Sequence, residues 1–257
     1  MKRVLTALVL VPVAVYSVLF APWAVFLGVI VLFAVCCFHE YAAITHAFAP
    51  LGYAAGLLIL FSPPGEMGAL VFISMVAAMC LPVFSKTPEI AVPRAASLAL
   101  GISYVFGAWK CGILVHDMNP HWLMFALVVN WAGDTGAFYV GRKFGKRKLA
   151  PAISPGKSWE GAIASTCASV IFGVIYLPLA IHGTSYLKAV LLSVGANIAG
   201  QIGDLAESAI KRSAGVKDSG TMLPGHGGML DRLDSSLFAM PALYALLRLI
   251  DRWAWLS

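Results

Sequence analysis

Charge is scarce in this chain. Only 12% of its 257 residues are Asp, Glu, Lys or Arg, against 60% that are hydrophobic. An ordinary soluble domain carries roughly 25% charged residues, so a water-soluble globule is excluded and the mean hydropathy of +0.85 points to a membrane protein. Cysteine is also sparse. The five residues Cys36, Cys37, Cys80, Cys111 and Cys167 lie in apolar segments without C-x-x-C spacing, which argues against disulfides and metal clusters and reads them as small core residues. There is no internal repeat, no low-complexity tail and no composition break that would mark a soluble domain. The expectation is therefore one all-α, polytopic membrane domain over 1–257, with N-terminal helices over 1–120 and a functional half over 121–257.

What is abundant is long apolar runs. A spanning helix needs about 20 mainly apolar residues, fewer where the ends snorkel. The runs predict nine spans, at 4–20, 23–38, 51–62, 67–84, 96–115, 122–139, 161–181, 187–207 and 236–251. The third is short, and either tilts or enters the membrane only in part. The first lacks a small-residue cleavage site and is expected to be a retained helix rather than a removed signal peptide. Inner segments at 1–3, 39–50, 85–95, 140–160 and 208–235 would hold 14 of the 18 basic residues, leaving Lys110, Lys188, Arg248 and Arg252. That bias predicts a multi-pass protein of the cell's inner (plasma) membrane, with a cytoplasmic N-terminus and the C-terminus opposite. It also accounts for the net charge of +6 without any nucleic-acid partner.

Against this background three polar constellations stand out. The segment 208–234 carries Lys211, Arg212, Lys217 and Arg232, the acids Asp218, Asp231 and Asp234, and the run Pro224-Gly225-His226-Gly227-Gly228. A loop with positive-inside bias explains its Lys and Arg, but not Gly-His-Gly-Gly or Asp-x-x-Asp. Glycines let backbone amides approach an anion, basic side chains bind phosphate, and paired Asp residues hold hard cations. The second constellation runs from Asp134, near the end of the sixth predicted span, through Gly141-Arg142-Lys143-Phe144-Gly145 to Ser154-Pro155-Gly156-Lys157-Ser158-Trp159-Glu160-Gly161. An ionisable residue inside a span usually faces a cavity and has a partner. Gly-Lys-Ser lacks the spacing and preceding strand of a P-loop; what remains is a Lys and a Ser hydroxyl at a helix N-terminus, a natural anion site. Lys146, Arg147 and Lys148 are read as topological charge only. In the third, Asp204, Glu207, Ser208 and Lys211 share one helix face. Glu207 either joins Asp204 at a cation or pairs with Lys211.

Ser208-x-x-Lys211-Arg212-x4-Lys217-Asp218 with Pro224-x-His226-Gly227-Gly228-x-x-Asp231-Arg232-x-Asp234 resembles the signature of the phosphatidate cytidylyltransferases, the CDP-diacylglycerol synthases. Asp134-Thr-Gly-Ala, Gly141-Arg142-x-Phe144-Gly145 and Ser154-Pro-x-Lys157-Ser158-x-Glu160-Gly161 are similar to that family as well. The resemblance implies a homodimeric membrane enzyme that makes CDP-diacylglycerol and pyrophosphate from CTP and phosphatidic acid, with an active site at the cytoplasmic face. It implies Mg²⁺, with room for a second, monovalent cation, held by Asp204 and Asp231. Asp234 and Asp134 would be further or outer ligands. Lys211 and Arg232 would act with those acids in catalysis. Lys157, Ser158, Ser208, Arg212, Lys217, Gly227 and Gly228 would hold substrate phosphates, and His226 would touch pyrophosphate or shape its turn. A phosphomonoester is already largely dianionic at neutral pH, its second pKa being about 6, so no general base is needed. A CTP-dependent lipid kinase and an ion-coupled transporter remain as alternatives; the CDP-alcohol phosphotransferase helix motif is missing.

Overall fold

A computed structural model describes residues 2–85, 87–223, 225 and 227–254. Every predicted span falls on a helix. In chain order these are α1 (Lys2–Leu19), α2 (Trp23–Thr45), α3 (Ala49–Phe61), α4 (Met67–Cys80), α5 (Pro88–Gly101), α6 (Ala108–Met118), α7 (Pro120–Phe144), α8 (Trp159–Ala180), α9 (Tyr186–Ser213) and α10 (Leu230–Ala254). A six-residue π-helical stretch, Ile102–Gly107, joins α5 to α6, so the fifth predicted span is one long helical rod. Among the described residues seven helices are long and apolar enough to cross a membrane: 23–45, 67–84, 89–118, 120–144, 159–180, 186–213 and 230–252. The chain is a polytopic helical membrane protein. The 13-residue α3 is shorter than a full crossing, as its sequence predicts.

The all-α expectation needs one correction. Within the predicted loop 140–160, β1 (Lys148–Ala150) pairs antiparallel with β2 (Ser154–Ser158), aligning Lys148 with Ser158 and Ala150 with Ser154. Glu160 closes the base of this hairpin by accepting from the amides of Lys146 and Arg147 at 3.1–3.3 Å. The cysteines need another. All five are free, and Cys37 and Cys111 are buried, but Cys80 and Cys167 lie on exposed helix faces rather than in a core. Lys86, Pro224 and His226 lie outside the described residues.

Contacts divide the chain into two compact units, Met1–Leu114 with Ser213–Leu233, and Val115–Arg212 with Asp234–Ser257. In the first, aromatic rings sit on glycines. A Cβ on Gly52 would meet the Phe38 ring at 2.1 Å, one on Gly56 the Phe106 ring at 2.1 Å, and one on Gly101 the Tyr41 ring at 2.3 Å. Phe38 and Phe106 in turn pack with ring centroids 5.1 Å apart. Lys110, one of the basic residues that the inner-segment count leaves over, is buried here. Its Nζ donates to the carbonyls of Leu60, at 3.1 Å, and Ser62, and so closes the C-terminal end of α3.

In the second unit α7 and α8 pack closely through small residues. A Cβ on Gly136 would stand 2.8 Å from the Ala164 carbonyl oxygen and 2.8 Å from the Ala168 Cβ. Close backbone approach through small residues is a common way for helices to associate where lipid removes the hydrophobic drive. Overpacking a tight contact costs about 1–3 kcal/mol. Gly136→Val should therefore lower the thermal midpoint of the detergent-solubilised protein by several degrees. Gly28→Val should leave it in place, because nothing lies within 4 Å of a Cβ there.

Candidate active site

The second unit holds a cavity of about 340 Å³, lined by Asp134, Arg142, Lys157, Ser158, Gln201 and Asp204 among others. Two of the sequence constellations meet in it. Lys157, on β2, reaches Asp204, on α9, with Nζ 2.6 Å from Oδ2. Asp204 Oδ1 accepts from Ser208 Oγ, one turn on, at 3.4 Å. Asp134 on α7 lies within electrostatic range of both Asp204 and Lys157. Ser158 caps α8: its Oγ accepts from the Gly161 amide at 3.2 Å, satisfying one of the open donors of the first turn. Gly145 and Gly161 leave the room for that cap; a Cβ on Gly145 would come within 2.6 Å of Ser158 Oγ.

Behind the charged wall runs a polar track that sequence reasoning missed. Asn197 Oδ1 accepts from Gln201 Nε2 at 2.6 Å and from Thr166 Oγ1 at 3.0 Å, while its Nδ2 donates to Ser165 Oγ at 3.0 Å. Asn130, on α7, is buried nearby and also lines the cavity. The signal was present in the sequence, as amides within apolar spans usually face a partner or a cavity. Arg142, read from sequence only within a glycine-spaced basic loop suited to an anion, lies on the cavity wall in the last turn of α7 rather than in a loop.

Lys211 and Glu207 take the pairing that spacing leaves open. Lys211 Nζ lies 2.5 Å from Glu207 Oε2, and Glu207 is fully buried. Arg212 Nε donates to the Ile153 carbonyl at 3.4 Å, fastening the end of α9 to the hairpin turn. Asp234 Oδ1 accepts from the Ser235 amide at 2.6 Å and feels Asp204, Glu207 and Lys211. Asp134, Asp204, Glu207 and Asp234 of this unit thus stand among Lys157 and Lys211.

In the first unit the signature loop closes on Asp231. The Ser219 amide donates to both carboxylate oxygens at 3.2 and 3.0 Å, and the Gly228 amide donates to Oδ2 at 2.8 Å. Asp231 lies in the first turn of α10, where a negative charge is favoured by the helix dipole. Gly227 adopts φ +83°, a conformation an L side chain rarely takes, and its carbonyl accepts from the Leu223 amide at 2.9 Å. Lys217, Asp218 and Gly227 line a second cavity of about 340 Å³, with Lys217 and Asp218 exposed; Arg232 is exposed as well. His226 lies outside the described residues.

The helices describe a polytopic membrane protein; one unit carries a cavity with lysine, arginine and aspartate on its wall, and the other carries the closed signature loop. Residues 1–250 match the model of the cytidylyltransferase family, and the chain belongs to that family. It is 34% identical to the phosphatidate cytidylyltransferase of Pseudomonas aeruginosa, over 96% of both chains. It is 47% identical to the phosphatidate cytidylyltransferase of Bacillus subtilis over 60% of this chain, a match that spans 58% of that relative's length. The protein of the same name from Haemophilus influenzae is 38% identical over 54% of this chain and 51% of its own.

The lysines can be separated by experiment. Losing a hydrogen bond to a charged group costs about 1.5–3 kcal/mol, roughly ten- to a hundredfold. Lys157→Ala should lower kcat/KM in cytidylyl transfer by that order. Lys146→Ala and Lys148→Ala should cost little, since exposed charges are screened beyond a Debye length of about 8 Å. Equal losses in all three would show that the loop acts as a diffuse field rather than through Lys157.

Proposed function

We propose that this protein transfers the cytidylyl group of CTP to phosphatidic acid, giving CDP-diacylglycerol and pyrophosphate for phospholipid synthesis. A phosphate oxygen of the lipid attacks the α-phosphorus of CTP, and the bond from that phosphorus to the bridging oxygen breaks as pyrophosphate departs. The observation that carries the reading is the Lys157–Asp204 pair on the wall of the cavity. Two polyanions must be brought together there, so charge neutralisation and in-line placement make up most of the work. Lys157 and Arg142 would hold phosphate oxygens, with Lys217 and Arg232 doing so on the signature loop. Ser158 would place Lys157 by fixing the start of α8.

A divalent cation suits the oxygen-only chemistry of these acids. Among the described residues no three His, Cys, Asp or Glu side chains are grouped to form a complete cage. Mg²⁺ does not need one, since it usually takes one or two carboxylates and completes its octahedron with waters and substrate phosphates. Asp204 would hold it in the second unit, with Asp134 and Asp234 nearby. Asp231 is the other ligand that the family resemblance implies. The ion would offset phosphate charge as the leaving group departs. A second, monovalent cation, a homodimer, a site facing the cytoplasm, and an inner-membrane protein with N-terminus inside and C-terminus outside are all part of this proposal.

CTP labelled at the α-phosphate, incubated with phosphatidic acid in detergent, should pass its label into lipid only when a divalent cation is present. Asp204→Asn and Asp231→Asn should each reduce that transfer to background while the protein remains folded and inserted. Label entering lipid from the γ-phosphate instead would identify a lipid kinase. Near-normal transfer by either variant at saturating Mg²⁺ would overturn the assignment of that acid.

A further inference from the structure

Glu40 belongs to none of the polar constellations. It lies in α2, is 4% exposed, and contacts the signature loop within the first unit. Its Oε2 accepts from Ser219 Oγ at 3.0 Å and from the Leu230 amide, the first of α10, at 2.9 Å. Ser219 in turn gives its own amide to Asp231, so one residue ties the two acids together. The loop is shaped around Glu40. A Cβ on Gly220 would come within 2.5 Å of Glu40 Oε1, and one on Gly228 within 2.5 Å of Oε2 and 2.0 Å of Ser219 Oγ. Glu40 Oε1 is shut off from solvent and has no hydrogen-bond partner among the described residues. Holding an ionisable group in so enclosed a place is costly, and the bonds through Oε2 show what it is held for.

We propose that Glu40 is a positioning residue for the cytidylyl transfer: by gripping Ser219 and the start of α10 it sets the direction of the Asp231 carboxylate. This rests on the proposed function, in which Asp231 works at the reacting phosphates. Gly220 and Gly228 are then required because a side chain at either place would displace Glu40 from the loop.

The test compares Glu40→Ala, Glu40→Gln, Ser219→Ala and the Glu40→Ala/Ser219→Ala double variant in the full-length protein in detergent. Two measurements are made: hydrogen exchange of the 216–231 segment, and kcat and KM for CTP and phosphatidate. Glu40→Ala should speed exchange in the segment and lower kcat by about tenfold or more, the order expected for a lost bond to a charged group, with both KM values held within about twofold. Glu40→Gln keeps an acceptor for Ser219 and Leu230 and should restore slow exchange and most of kcat. The double variant should be little worse than Glu40→Ala, because contacting residues are not additive. Unchanged exchange in Glu40→Ala, a Glu40→Gln variant as impaired as Glu40→Ala, or losses that multiply fully in the double variant would overturn the proposal. If Glu40→Ala does not fold, Ser219→Ala with the parent's kcat and exchange would do the same. The exchange result does not depend on which reaction is catalysed. A parent protein that makes no CDP-lipid refutes the proposed function, whereas normal exchange in the variants refutes the role of Glu40.

Discussion

Placing charge inside an apolar helical protein is the constraint on which the rest of this structure depends. An unpaired ion taken out of water loses several kcal/mol even after relaxation, and several charges within the helices of each unit are held against a partner. Lys110 finds helix-end carbonyls, Glu207 finds Lys211, Asp204 finds Lys157, and Glu40 finds the hydroxyl of Ser219 and the open amide of α10. Asp204 through Lys211 occupy the C-terminal part of α9, and Asp134 stands in the later part of α7.

Glycine and other small residues answer a second demand, for close packing without a hydrophobic drive between helices. In the first unit they are seats for Phe38, Phe106 and Tyr41, which make a rigid aromatic centre from rings that would otherwise need wider helix spacing. In the second they draw α7 against α8 and clear space beside the Ser158 cap. Gly133 belongs to the same set, since a Cβ there would come within 2.5 Å of both Asn197 Nδ2 and Ser165 Oγ. Polar side chains therefore lie against a helix backbone within an apolar bundle.

The helices were legible because each is an apolar run of near-membrane length, a signal that survives without any knowledge of neighbours. The β1–β2 hairpin was not, because its strands are three and five residues long and read as basic loop. Nor was the division into units, which joins the signature loop to helices far upstream. Within the site, Lys157 and Asp204 were each visible as motif residues; their pairing depends on how a hairpin meets α9, and spacing carries no trace of it. Spacing did hold the Glu207–Lys211 bridge, as one of two readings. Glu40 was out of reach for a plain reason. Its hydroxyl partner is 179 positions away, and a single acid at the end of an apolar run looks like an ordinary helix terminus.

The Lys157–Asp204 pair also shows how opposite charges are held on the wall of this cavity. Separated, a lysine prepared for phosphate and an aspartate prepared for a cation would each be a poorly solvated ion on the wall of a partly apolar cavity. Joined at 2.6 Å, they neutralise one another. Under the proposed reaction a nucleotide phosphate arriving with its cation presents both opposite charges together. The ammonium can then turn to phosphate and the carboxylate to the cation without either passing through an unpaired state.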